Sequence, residues 1–157
     1  MLHLSNKSKS LGLLVFVGLL VQAGIFPVPQ LNSTSVLAHE VEVSGDVAAT
    51  FHLEPNHNPR AGETAKVWFA LTRRGGQIIP LKQCNCKLAV YPKNHKEGDK
   101  PLMEPPLKAV SAERYQGIPG AEIVFPKAGI YGLELSGKPK TAANFKHFKL
   151  TYTVTVR

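Results

Sequence analysis

FKLTYTVTV, at residues 148–156, is the stretch that decides the fold. Its apolar residues fall at every second position, and lysine or threonine occupies each position between them. Successive side chains of a strand point to opposite faces, so this stretch predicts a strand with one buried and one solvent-facing side. Half-buried strands of this kind are typical of antiparallel sheets, because the strands of parallel sheets are buried on both faces.

Similar segments recur upstream. Apolar residues recur at every second position in 47–53 (from Val47), in 65–71 (from Ala65) and in 87–91 (Leu88 and Val90), and short apolar runs follow at 121–125 and 130–135. Stretches rich in glycine, proline, asparagine and charge separate them, at 56–62, 74–76, 92–106 and 117–120. No window shows a helical period of useful length. The sequence therefore predicts an all-β domain, an antiparallel β-sandwich of about seven strands.

Residues 126–133, Pro-Lys-Ala-Gly-Ile-Tyr-Gly-Leu, sharpen this prediction. They resemble the tyrosine corner of immunoglobulin-like domains, in which a tyrosine near the start of the penultimate strand bonds back to the preceding turn. Tyr131 takes the part of that tyrosine, and Gly129 permits the tight backbone. Leu133 stands where antibody domains carry their second cysteine, so their inter-sheet disulfide is not expected. The expected sandwich is immunoglobulin-like.

The N-terminal region has the layout of a secretory signal peptide. Lys7 and Lys9 precede an apolar run from Leu11 to Phe26, and a polar stretch closes on Val36-Leu37-Ala38. We expect cleavage after Ala38 and export to the periplasm or another extracytoplasmic space.

This cut defines residues 1–38 as leader and spacer and residues 39–157 as the β-sandwich domain. Two alternatives stay open. Cleavage after Ala23 also has small residues at the required places, and the apolar run could be kept as an anchor. A spanning helix usually needs about 20 apolar residues, more than this run supplies.

The charge of the mature chain bears on its partners. Removal of the leader takes away two of the 19 basic residues, leaving 17 basic against 11 acidic residues and a net charge of +6. Nucleic acid is not expected as a partner, because the protein is exported and no aromatic residues interleave with the basic ones as stacking platforms. Such a charge predicts a solvated basic surface, or attraction to anionic envelope surfaces.

Histidines supply the first candidate metal site. Cleavage after Ala38 makes His39 the first residue, so that a free α-amine and an imidazole lie together and can chelate a transition metal. His52 lies on the 47–53 strand and His57 in the turn that follows. Imidazole is the commonest metal ligand, and these three histidines can converge if the N-terminus folds back. The alternative is that they are ordinary surface histidines.

Cys84-Asn85-Cys86 is the second candidate metal site. Alternate residues of a strand project from one face with Cα atoms roughly 6.5–7 Å apart. That separation is at the limit for a disulfide, so a bridge would need a turn. Two thiolates on one face could instead bind a soft ion such as Cu(I). A metal site, a labile disulfide and inert thiols all stay open.

Enzyme motifs are missing from the sequence. It has no nucleophile elbow, no glycine-rich phosphate loop and no His-Glu-x-x-His. We therefore expect no catalysis. A histidine-brace copper oxygenase would need His39, a second histidine and a flat substrate face, and is not expected in a domain of this size.

An exported immunoglobulin-like sandwich that begins with histidine and carries the corner at residues 126–135 resembles the small periplasmic copper-handling domains, CopC-like and YtkA-like. The resemblance implies Cu(II) binding by His39, with His52 or His57 as partners. The methionine-rich Cu(I) site of some members is absent, and Cys84 and Cys86 are not part of their pattern.

The expected function is therefore that of an exported, non-catalytic protein that binds a metal ion, copper by this resemblance, as an accessory or transfer protein. The expected metal ligands are His39, His52, His57, Cys84 and Cys86. The alternative is an envelope protein-interaction module in which the sandwich is a scaffold and the loop 92–106 contacts an envelope or membrane protein.

Overall fold

The structure is a computed structural model that describes residues 40–140 and 143–157. The expected signal peptide, residues 1–38, and the first candidate ligand, His39, lie outside the described residues. Within these residues the chain forms nine strands: β1 Glu40–Ser44, β2 Val47–Glu54, β3 Thr64–Arg73, β4 Gln77–Ile78, β5 Cys84–Pro92, β6 Lys108–Ala112, β7 Tyr115–Val124, β8 Gly129–Pro139 and β9 Phe148–Val156. One short 3-10 helix, Leu81–Gln83, precedes β5. The all-β prediction is confirmed, with more strands than the expected seven.

Two antiparallel sheets make up the sandwich. The larger has the order β1-β2-β3-β7-β6, with β4 paired to β3, and the smaller has the order β5-β8-β9. Without β1 and β4, this is the strand arrangement of constant-type immunoglobulin domains, in which the sheets are ABED and CFG. The immunoglobulin-like sandwich is therefore confirmed. In the described part of the chain no helix is long and apolar enough to cross a bilayer.

Aromatic side chains join the two sheets in the core. The ring of Phe51 on β2 stacks on that of Tyr152 on β9 with centroids 4.6 Å apart, and Phe69 on β3 lies 5.6 Å from the same tyrosine. The Tyr152 hydroxyl donates a hydrogen bond to the carbonyl of Ala49, at 3.3 Å. Burial of each such side chain contributes about 1.5–3 kcal/mol. The alternation of residues 148–156 is thus the inner and outer face of β9.

The tyrosine corner is present. The hydroxyl of Tyr131 donates to the carbonyl of Lys127 at 2.8 Å, and its ring packs 4.9 Å from that of Phe125. Gly129 has a φ of 152°, a backbone conformation that residues other than glycine rarely adopt. The corner fixes the connection between β7 in the larger sheet and β8 in the smaller one.

A second apolar cluster lies on the outer face of the larger sheet. Trp68, Ala70 and Ile118 are buried there, and the partly buried Val110 and Tyr115 pack against them. Strand β3 is therefore buried on both faces over its central residues. This cluster positions Trp68, which contacts the first candidate site.

Candidate functional site

His52 and His57 lie side by side at the end of β2. The chain turns after Glu54, and the backbone N–H of His57 donates to the carbonyl of Leu53 at 2.8 Å. Asn56 and His57 have φ values of 50° and 54°, a left-handed conformation that asparagine tolerates well. The turn brings the two imidazole rings together with centroids 5.0 Å apart and planes at 82°. His52 and His57 are therefore in contact, whereas the third expected member of the set, His39, lies outside the described residues.

Aromatic neighbours hold both rings in place. His52 lies flat against Trp68, with centroids 4.8 Å apart and planes at 17°. His57 contacts Phe51 edge-on, with centroids 5.6 Å apart. The Nδ1 atom of His52 and the Nε2 atom of His57 are buried. The two imidazoles are thus partly buried in the surface of the sandwich.

Strand β1 begins beside this pair. In the β1–β2 ladder Glu40 lies opposite Phe51, the residue before His52. Partial burial raises the pKa of the Glu40 carboxyl, and the charge of Glu42 raises it further. His39, one residue before β1, lies outside the described residues.

The 5.0 Å between the ring centroids is compatible with a shared metal ion and is equally usual for an edge-to-face ring pair. Two imidazoles that bind one ion through nitrogens about 2 Å from it have ring centroids about 4.5–5 Å apart when the bonds meet at a right angle. The observed 5.0 Å matches this spacing. Two nitrogens do not complete a site, and residues 40–140 and 143–157 contain no group of three histidine, cysteine or acidic side chains that could hold a metal ion. A further ligand is required.

Cys84 and Cys86 form a disulfide bond. Their Cα atoms are 5.2 Å apart, closer than the roughly 6.5–7 Å of an extended strand and within the range that disulfides span. A disulfide is thus the one of the three open alternatives that the structure contains, with a Cα separation below the extended-strand value. Both cysteines belong to β5, and the 3-10 helix ends just before Cys84. Soft-metal binding would require reduction first, because a disulfide offers no thiolate.

The sulfur of Cys84 also fills a gap in the core. A Cβ atom at Gly137, opposite Cys86 on β8, would lie 2.7 Å from the Cys84 Sγ. Cys84 is buried and Cys86 is partly buried. The bridge is therefore part of the packing between β5 and β8.

The histidine pair and the disulfide lie at opposite ends of the sandwich. Strand β5 begins at Cys84, opposite Pro139, and ends at Pro92, opposite Tyr131. At that second end Arg157, which follows β9, is hydrogen-bonded to Pro59 and Ala61 in the loop after His57. The nine residues of β5 span roughly 25–30 Å. The two sets of candidate ligands cannot share one ion.

The remaining described histidines do not join either set. His95 stacks on Tyr91 of the smaller sheet with centroids 4.2 Å apart, and its Nδ1 lies 3.2 Å from the carbonyl of Pro92. His147 is exposed, just before β9. These two histidines are natural controls for a test of His52 and His57.

A cleft of about 500 Å³ opens beside Trp68, on the outer face of the larger sheet. Its floor includes Gly120, where a Cβ atom would lie 2.6 Å from Val110, and charged side chains surround it: Glu54, Lys66, Lys108 and Glu122. The sequence pattern does not predict this cleft. The feature of the sequence that could have indicated it is Trp68, a large aromatic residue on the side of its strand opposite Val67, Phe69 and Leu71.

No known protein family matches the chain, and no curated protein is significantly similar to it.

Proposed function

We propose that this protein is an exported, non-catalytic copper-binding protein that accepts or transfers Cu(II) through His39, His52 and His57. The observation that carries the proposal is the packing of His52 and His57, whose ring centroids are 5.0 Å apart at the end of β2. Imidazole nitrogens are good ligands for Cu(II). The site lies next to the start of β1, where the chain enters the domain.

His39 is proposed as the source of the missing ligands because of its place in the chain. It is bonded to Glu40, which lies opposite Phe51, and Phe51 is bonded to His52. A site that takes in His39 requires its amine and ring to reach the imidazole of His52. The α-amine and imidazole of His39 then join the imidazoles of His52 and His57, giving four nitrogen donors.

Export is part of the proposal. The α-amine of His39 is free only if the leader is cut after Ala38, and the charged start, apolar middle and small residues of positions 1–38 support that cut. A chelate at the N-terminus of an extracytoplasmic copper protein suits transfer of the ion to a partner.

The test is a Cu(II) titration of single variants of the protein purified after export. His52→Ala and His57→Ala should each lower the affinity by more than about tenfold, the scale on which even outer-shell partners affect metal sites. His95→Ala and His147→Ala, which remove imidazoles elsewhere, should leave it unchanged. Affinity should also fall below about pH 6, because imidazole must be neutral to bind a metal. Equal affinities in all four variants would contradict the proposal.

The cleft beside Trp68 favours a second candidate, the envelope interaction module. Its 500 Å³ and its apolar floor are sufficient for a short peptide segment. This candidate predicts that substitutions at Lys66 or Glu122 change partner binding, whereas His57→Ala does not.

A further inference from the structure

The end of the sandwich opposite His52 and His57 carries most of the net charge. We call it the basic end. It consists of the β1–β2, β3–β4 and β6–β7 turns with the strand residue on each side of them, the 3-10 helix and the described residues of 138–147. Its charged side chains are the basic residues Arg73, Arg74, Lys82, Arg114, Lys138, Lys140 and Lys146 and the acidic residues Asp46 and Glu113.

Backbone contacts hold these segments together. Asp46 accepts hydrogen bonds from two of them, its carbonyl from the N–H of Arg74 and its carboxylate from the N–H of Lys146. The N–H of Lys140 donates to the carbonyl of Gln83, next to the 3-10 helix. On the other side, Gly117 of β7 approaches Pro80, which precedes that helix. The basic residues therefore share one surface that both sheets contribute to.

The asymmetry of charge is large. The described residues include 17 basic and 11 acidic side chains. Seven of the basic and two of the acidic side chains lie in the basic end. The basic end therefore has a net charge of +5, and the rest of the domain, with ten basic and nine acidic residues, has +1. A dispersed solvated surface would divide the charge more evenly.

A polar cavity of about 260 Å³ lies within this surface. Its lining residues include Arg73, Gln77, Gln83 and Asn144. The Nη1 of Arg73 donates to the carbonyl of Asn144 at 3.1 Å. Guanidinium and amide groups offer several N–H donors, and a guanidinium matches the geometry of a phosphate. The cavity has the chemistry of a phosphate site.

We propose that the basic end docks the protein on an anionic lipid membrane, with a lipid phosphate entering the Arg73 cavity. Clusters of lysine and arginine bind anionic bilayers additively, each residue strengthening binding by about fivefold. The basic end is formed by connections from both sheets. A broad surface of this kind suits a flat membrane better than it suits a ligand that binds in a narrow groove. Docking in this way leaves His52 and His57 at the far end, facing away from the bilayer.

The experiment is vesicle co-sedimentation of the protein purified after export, with its N-terminus checked by intact mass. Vesicles of phosphatidylcholine alone are compared with vesicles that also contain phosphatidylglycerol. Lys138→Gln, Lys140→Gln and Lys146→Gln are combined in one variant. The matched control combines Lys93→Gln, Lys96→Gln and Lys100→Gln, which removes the same charge from the loop after β5. Circular dichroism verifies that both variants fold.

The proposal predicts binding only to the phosphatidylglycerol vesicles, weakened about 100-fold in the first variant and by less than about fivefold in the control. Remote charges have little effect because the Debye length is about 8 Å at physiological salt. Arg73→Lys, which keeps the charge and loses the planar fork, should weaken binding further than Arg74→Lys does.

Three results would overturn the proposal. Equal weakening of the two triple variants would show that net charge alone acts. Binding of inorganic phosphate without binding of vesicles would make the cavity a site for a soluble anion. Binding of polyglutamate without binding of vesicles would indicate an acidic protein as the partner. Because His52 and His57 are unchanged in every variant, none of these results depends on copper binding.

Discussion

His52 lies opposite Trp68 in the β2–β3 ladder, and its imidazole stacks on the indole with the ring planes at 17°. Trp68 is itself fixed by the outer cluster of Ala70 and Ile118. A ligand whose ring is held before the ion arrives loses less side-chain freedom on binding. Trp68 is thus a positioning residue for the proposed site.

Trp68→Leu should therefore weaken Cu(II) binding even though Trp68 supplies no ligand atom. We expect a loss of about tenfold or more, the scale measured for groups that orient metal ligands. Trp68→Phe keeps an aromatic surface against His52. It should therefore retain most of the Cu(II) affinity, at a stability similar to that of Trp68→Leu. If Leu and Phe variants bind copper equally well, stacking does not position His52.

Tyr131→Phe tests the corner that joins the two sheets. Removal of the hydroxyl that donates to the Lys127 carbonyl should cost about 1 kcal/mol of unfolding free energy. Thermal unfolding should show this as a Tm lower by about 4 °C. Tyr91→Phe, at a half-exposed ring, is the control and should change Tm little. An unaltered Tm in Tyr131→Phe would mean that this hydrogen bond does not stabilise the corner.

The Cys84–Cys86 disulfide gives two measurable outcomes. The native protein should be two mass units lighter than the reduced protein, and it should bind Cu(I) through these sulfurs only after reduction. Replacement of both cysteines by alanine should cost about 1.5 kcal/mol through the loss of the small closed loop, plus a contribution from the packing over Gly137. A native protein with two titratable thiols would contradict the bridge.

Tyr152 makes stability fall at alkaline pH. Burial raises the pKa of its hydroxyl, with smaller contributions from the charges of Glu42 and Glu40. Because the folded pKa lies above the unfolded value of about 10, the unfolded state ionises first and stability is lost as pH rises above about 10. Tyr152→Phe removes this loss but also the hydrogen bond to Ala49.

Urea unfolding from pH 8 to pH 11 measures both effects. At pH 8 the native protein should be more stable than Tyr152→Phe by about 1 kcal/mol. The difference should shrink and then reverse as pH rises. A difference that stays constant over this range would show that Tyr152 has the same pKa in both states.

The sequence predicted the elements whose inner and outer faces differ in polarity. In β9 the alternation is complete, and the tyrosine corner depends on local residues, so both could be recognised. Strand β1 could not, because Glu40 and Glu42 share the inner side with Phe51 and Ala49 while its valines point outward. Acidic residues on the inner side of an edge strand discourage pairing with other chains, which reverses the usual pattern.

The candidate site was predictable only in part. The nearness of His52 and His57 in sequence indicated their convergence, but the stacking of His52 on Trp68 depends on the β2–β3 register. The sequence did not indicate the outer cluster, because Trp68 and Ala70 alternate along β3 with the residues that face the inner core. The bridge between Cys84 and Cys86 depends on a Cα separation of 5.2 Å, shorter than the extended-strand value that the alternating pattern predicts.

The most direct test of the copper proposal is a Cu(II) titration of two forms of the protein that differ only at the N-terminus. One begins with His39, and the other carries a single extra residue before it, which converts the α-amine to an amide and leaves the ring and the fold in place. The proposal predicts that the extended form binds Cu(II) more than about tenfold more weakly, because one ligand atom is lost. Equal affinity of the two forms would contradict the terminal-histidine site and the function built on it.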